Sequence, residues 1–205
     1  MEKKRSFKQL EKSFVTCNEF NKFCKKLTEE YANSEAQFAR SYFTENYNIS
    51  VDCYYKVLEY AVVTNLVEDI TVTKMMNKAV SNQNLHQNGA GGSSIAKYAR
   101  MYTKRCQYIA ITFTDKEIKR MALDFGDNPD ISKADLAASY GIARKVLELL
   151  LVRAIEENIV DDKTVDAIER RSIKNAKPEN VQMTKDYFAA LRKKREANQK
   201  GITLE

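Results

Sequence analysis

The sequence predicts an all-α protein, and three observations carry the prediction. Helix breakers are scarce, with 2 prolines and 6 glycines in 205 residues. Long stretches are rich in Ala, Leu, Glu, Lys, Arg and Met, the residues that lose least on entering a helix. The third observation is a self-match. Shifted against itself by about 93 residues, the chain aligns without a gap over 38–82 and 131–175. Tyr47, Ile49, Leu58, Ala61, Asn65, Val67, Asp69, Thr71 and Val72 meet Tyr140, Ile142, Leu151, Ala154, Asn158, Val160, Asp162, Thr164 and Val165. About ten of the 45 pairs are identical where composition predicts roughly three. The match reads as a duplicated helical unit.

Each copy is expected to hold an N-terminal helix, a helix-turn-helix, a further helix and a basic, Tyr-containing helix. The second copy is the clearer. Ser132 is placed to cap a helix beginning at Lys133, with Asp135 favourable in its first turn. Leu136, Ala137 and Tyr140 form its inward face, and Gly141 follows where a helix can end in a left-handed conformation. Ile142 plugs the corner, and a second helix starts near Ala143 with Leu147, Leu150, Leu151, Ala154 and Ile155 at helical spacing. In the first copy Asn48 stands for the glycine and Thr44 for the small Ala137, with Tyr54 and Val57 inward. With a small deletion, 97–105 lies over 186–194, which aligns the two basic helices. Ser50 to Thr64 and Gln107 to Phe113, rich in β-branched and aromatic residues, are the strand candidates. The domain reading is a first helix-turn-helix unit over 1–88 and a glycine-rich loop with a basic linking helix over 89–108. A second unit over 109–176 and a basic C-terminal helix and tail over 177–205 complete it.

The pattern of Leu136, Ala137, Gly141, Ile142, Leu147 and Leu150 resembles the helix-turn-helix (homeodomain-like) superfamily over about twenty residues per copy. The resemblance implies that the second helix of each unit enters a DNA major groove, its early residues meeting base edges. In the second copy these are Ala143, Arg144, Lys145 and Glu148; in the first they are Ser50, Val51, Asp52, Tyr55 and Lys56. Arg144 and Lys145 suit base or phosphate contact, whereas Asp52 repels phosphate and leaves the first copy less suited. Against this stands the helix over 143–158, apolar nearly all round, as expected of a helix buried on more than one side by the other copy or a second subunit.

A net charge of +6 and a sequence pI of about 9.0 favour phosphate only slightly. Two basic segments offer an alternative footprint. Lys97, Arg100, Lys104 and Arg105 alternate with Tyr98, Tyr102 and Tyr108, and Arg192, Lys193, Lys194 and Arg195 follow Tyr187 and Phe188. Cations interleaved with aromatics suit nucleic acid; solvated helix faces with their aromatics in the core explain them equally well. The candidate contacts are therefore Lys56, Arg144, Lys145, Lys97, Arg100, Lys104, Arg105, Arg192, Lys193, Lys194 and Arg195.

Catalysis is not expected. The single histidine, His86, sits in a polar segment, which leaves neither an imidazole base for a Ser or Cys nucleophile nor a multi-His metal site. The carboxylate pairs Asp161–Asp162, Glu156–Glu157 and Glu29–Glu30 fall at helix ends or on polar faces, where capping explains them. The segment 87–94 reads as a flexible loop, since it lacks the Gly-Lys-Ser/Thr ending and preceding strand of a phosphate cradle. Cys17, Cys24, Cys53 and Cys106 form no C-x-x-C pair and read as buried thiols of a cytoplasmic protein. No apolar run suits a signal or a membrane span. The expectation is a cofactor-free, cytoplasmic, duplex-DNA-binding regulator or accessory factor of bacterial or mobile-element type, possible as a homo-oligomer. The alternative is a helical interaction or scaffold protein.

Overall fold

A computed structural model of the chain describes residues 4–35, 40–85 and 92–201. The fold is all-α: no strand occurs among the described residues, and an isolated backbone bridge joins Arg5 to Ile49. Contacts divide the chain into two compact units, residues 1–108 and 109–205. The first holds α1 (Phe7–Glu11), α2 (Cys17–Asn33), α3 (Arg40–Asn46), α4 (Val51–Val63), α5 (Asp69–Leu85) and α6 (Gly92–Ala110), the last running two residues past the division. The second holds α7 (Asp115–Asp127), α8 (Lys133–Ser139), α9 (Arg144–Glu156), α10 (Asp162–Lys174), a 3-10 turn (Pro178–Asn180) and α11 (Val181–Gln199). Of the glycine-rich stretch, residues 87–91 lie outside the described residues, as does His86, and Gly92 opens α6.

Local chemistry accounts for where these helices begin. Thr16 and Glu19 form a reciprocal capping box on α2, and Thr114 and Glu117 form one on α7. The Oγ of Ser132 accepts the Asp135 N–H at 3.1 Å and starts α8, as its spacing predicts. Each short helix then ends in a sharp left-handed turn, at Asn48 (φ 47°) after α3 and at Gly141 (φ 65°) after α8. The next amide closes the corner: Ile49 N–H donates to the Thr44 carbonyl and Ile142 N–H to that of Ala137, both at 3.0 Å. At Gly141 no atom of the described residues lies within 4 Å of an added Cβ, so the cost of a side chain there is backbone strain. Gly141→Ala is expected to lose about 1 kcal/mol in a denaturant melt; unchanged stability would show the left-handed turn to be unimportant.

The first strand candidate is helical, and the second is helical to Ala110 and a turn and bend over 111–113. Ser50 to Thr64 is α4 with its two caps, and Gln107 to Ala110 is the last turn of α6. In α4 the residues Cys53, Tyr54, Val57, Leu58, Ala61 and Val62 are buried, three and four apart, and packing that stripe against α1, α2 and α3 outweighs the weak β preference of Val and Tyr. The apolar helix α9 buries Val146, Leu147, Leu150, Leu151, Ala154 and Ile155. That buried stripe is covered by α7, α8 and α11 of its own unit, while Leu149 and Val152 on the same helix stay half-buried. Cys24, Cys53 and Cys106 are buried, but Cys17 is exposed, contrary to the expectation of four buried thiols. Among the described residues no helix is long and apolar enough to cross a membrane.

Candidate nucleic-acid interface

Two of the predicted contacts are interior residues. The Arg105 side chain is 5% exposed; its Nη1 donates to the carbonyls of Val62 (3.3 Å) and Val67 (2.6 Å), and its Nη2 pairs with Asp69 at 3.0 Å. Arg195, 7% exposed, donates to the carbonyls of Ile155 (3.2 Å) and Val160 (2.8 Å) and pairs through Nε with Asp162 at 3.1 Å. These carbonyls lie at and just beyond the C-termini of α4 and α9, where backbone acceptors are left over and the helix dipole is negative. Arg105 and Arg195 therefore cap helices and cannot reach a phosphate. The spacing was visible: Tyr98, Met101 and Arg105 share one buried face of α6, and Phe188, Leu191 and Arg195 one of α11. These environments match at an offset of 90 residues, one more than the alignment of 97–105 with 186–194 assumed.

A second pair of buried cations serves α2 and α7. Lys78 Nζ donates to the carbonyls of Tyr31 (3.1 Å) and Ser34 (3.2 Å) and to the Ser34 hydroxyl, 4.5 Å from the Tyr31 ring centroid. Arg171 stacks 3.9 Å from the Phe125 ring centroid and donates to the Phe125 carbonyl. Burial pushes the Lys78 ammonium down from 10.5 to about 8. Between those values the unfolded chain holds a proton that the folded chain has released, so raising pH through that window favours folding at this site. Cys24 and Cys53 act oppositely, because burial pushes their thiols up to about 12 and about 11 and the unfolded thiols ionise first. The Lys78 contribution is thus read as a difference. The stability of the native chain minus that of Lys78→Met should rise from pH 8 to pH 10; a flat difference would contradict the assignment.

The other predicted contacts lie nearer the surface, and most are ion-paired. Lys56 pairs with Asp52 at 2.9 Å, and Arg144 and Lys145 share Glu148 at 3.0 and 3.7 Å. Lys104 pairs with Glu59, Lys194 with Glu156 at 3.0 Å, and Arg192 with Asp166 and Glu169, each at 2.6 Å. Lys97, Arg100 and Lys193 have no carboxylate within bridging distance among the described residues; Arg100 donates to the Ala96 carbonyl of its own helix. The acidic pairs are likewise engaged: Asp161 caps α10, Glu157 pairs with Arg153 at 2.7 Å, and Glu30 accepts the Tyr47 hydroxyl.

What the structure assembles, and the sequence did not suggest, is a cluster of cations around Tyr55 on α4, where Asp52 and Glu59 of the same helix stand one turn to either side, paired with Lys56 and Lys104. Tyr55 is half-buried there, with Lys97 Nζ 4.0 Å and the Arg40 guanidinium 5.9 Å from its ring centroid. Arg40 Nη1 also lies 3.5 Å from the Tyr55 hydroxyl. Lys56 is the next residue on α4, and Arg100 stands one turn beyond Lys97 on α6. Arg40 comes from α3 and is isolated in sequence, so only the fold brings it here. The balance of charge points the same way. Residues 1–108 hold 16 Lys and Arg against 11 Asp and Glu, whereas residues 109–205 hold 18 against 17. The unit with the clearer helix-turn-helix sequence is nearly neutral, and the positive excess lies in the other.

The chain matches no protein-family model, no curated protein and no solved structure.

Proposed function

We propose that this chain is a cytoplasmic, double-stranded-DNA-binding regulator or accessory factor built from two copies of a helix-turn-helix unit. The first unit supplies the principal contact surface. The observation that carries the reading is Tyr55 on the second helix of that unit, flanked by Arg40 and Lys97 and continued by Lys56 and Arg100. Cations around a half-buried aromatic suit a phosphate backbone beside a base or sugar. The ion pairs of Lys56, Arg144 and Lys145 are no obstacle, because exposed pairs contribute little and exchange readily for phosphate.

Correspondence between the units supports the reading of two copies. The left-handed residues Asn48 and Asn65 recur as Gly141 and Asn158, 93 positions on. The Tyr47–Glu30 hydrogen bond recurs as Tyr140–Asp124. The carbonyls capped by Arg105 and the carboxylate it pairs with recur, at that same spacing, around Arg195.

Alanine at Arg40, Lys97 and Arg100 together should weaken duplex binding at least tenfold. The slope of log affinity against log salt should become shallower by about 0.9 for each phosphate that is no longer neutralised. Alanine at Arg144 and Lys145 should cost only a few-fold, and fluorescence anisotropy with a labelled duplex measures both. Equal losses from the two sets would move the principal surface to α9; no loss from either would remove the proposal.

A further inference from the structure

We infer that the second unit carries a docking groove for an acidic amphipathic helix of a partner protein. α9 and α11 meet near their C-terminal ends, where Arg195 donates to the Ile155 carbonyl, Lys194 pairs with Glu156 and Asn198 Nδ2 donates to the Glu156 carbonyl at 2.7 Å. Toward their N-terminal halves a cleft of about 940 Å³ opens, lined also by α7, α8 and α10. Its floor is apolar, with Phe125, Ile155 and Ile168 buried. Its apolar side chains continue out to water: Leu149 and Val152 are half-buried, while Tyr187 is 49% and Met183 64% exposed.

Charge selects the occupant. Lys133, Arg144, Lys145 and Lys177 line the cleft against two acids, Asp130 and Glu148, so positive charge is in excess there even with Glu148 paired to Arg144 and Lys145. An apolar floor under a net cationic rim fits a helix with Leu or Phe at i, i+3, i+4 and i+7 and Glu or Asp on its flanks. The flexible thioether of Met183 can adjust to the contour of such a face. Duplex DNA would leave Leu149 and Met183 uncovered, and a basic peptide would meet like charge. This groove is a different surface from the α4–α6 patch, so either assignment can fail alone.

The test uses the full chain and fluorescent peptides about four turns long. The panel keeps Leu or Phe at the four anchor positions and varies the flanks between Glu-rich and Lys-rich. Glu-flanked peptides are expected to bind with micromolar affinity that weakens with salt. Leu149→Glu and Met183→Glu should each weaken that binding at least tenfold. Met183 is largely exposed, so Met183→Glu tests the groove even where Leu149→Glu disturbs folding, and it should cost duplex binding no more than the few-fold expected of alanine at Arg144 and Lys145. The assignment is overturned if Lys-flanked peptides bind equally well, if no Glu-flanked peptide binds, or if binding survives Met183→Glu. Self-association abolished by Met183→Glu would also overturn it, making a second copy the occupant.

Discussion

Arg195→Met should destabilise residues 109–205 by about 3 kcal/mol, and Arg105→Met should do the same to residues 1–108. Methionine preserves much of the buried stem but removes every donor. Two carbonyls at the end of α9, or of α4, then lose a charged partner in a place water cannot readily reach. Each unsatisfied buried acceptor costs roughly 1–3 kcal/mol. The carboxylate partners Asp162 and Asp69 are 78% and 59% exposed, stay solvated and add little. Lys193→Ala, at an exposed neighbour of Arg195, should change stability by less than about 0.5 kcal/mol. Hydrogen exchange read peptide by peptide measures both, because every partner of each arginine named above lies within its own unit. If Arg195→Met keeps native protection while lowering DNA affinity, the arginine is a surface contact after all.

Phe125→Ala carries the other large effect, a loss of about 4 kcal/mol. The ring is 1% exposed, and deleting it opens a cavity in the core of the second unit. It also withdraws the aromatic face against which the Arg171 guanidinium stacks and toward which Lys133 Nζ points from 5.7 Å. Phe125→Leu retains most of the volume but not the quadrupole and should lose about 2 kcal/mol. Arg171→Met makes an instructive contrast with Arg195→Met. Among the described residues Nε and Nη2 of Arg171 are buried without a hydrogen-bond partner, whereas Arg195 uses Nε, Nη1 and Nη2. Removing Arg171 also relieves a desolvation penalty, so the expected loss is nearer 1 kcal/mol. Urea melts of the four variants give the ranking; a larger loss for Arg171→Met than for Arg195→Met would reverse the argument.

Local signals made the helical class legible, together with the start of α8 at Ser132 and the turn at Gly141, because caps and left-handed turns are fixed by a few adjacent residues. The segment 50–64 could be read two ways, as a strand candidate by composition and as the second helix of the first copy by its match to 143–157, and burial of its three-and-four stripe decides for the helix. The basic helices misled for a different reason. Charge along a chain says nothing about the face on which it falls, and the three-and-four spacing from Tyr98 and Met101 to Arg105 was the sign that this cation points inward. Arg40 and Tyr55 were illegible as a pair. They are fifteen residues apart on different helices, and the third member, Lys97, comes from α6. A sequence also cannot show that Arg144 and Lys145 share one carboxylate, Glu148.

The most direct test of the central claim is binding of the intact chain to a labelled random duplex across a salt series. The account predicts micromolar or tighter binding at low salt, weakening about 10³-fold between 50 and 200 mM if six or so phosphates are engaged. No binding at the lowest salt would contradict it and leave the chain a protein-interaction module.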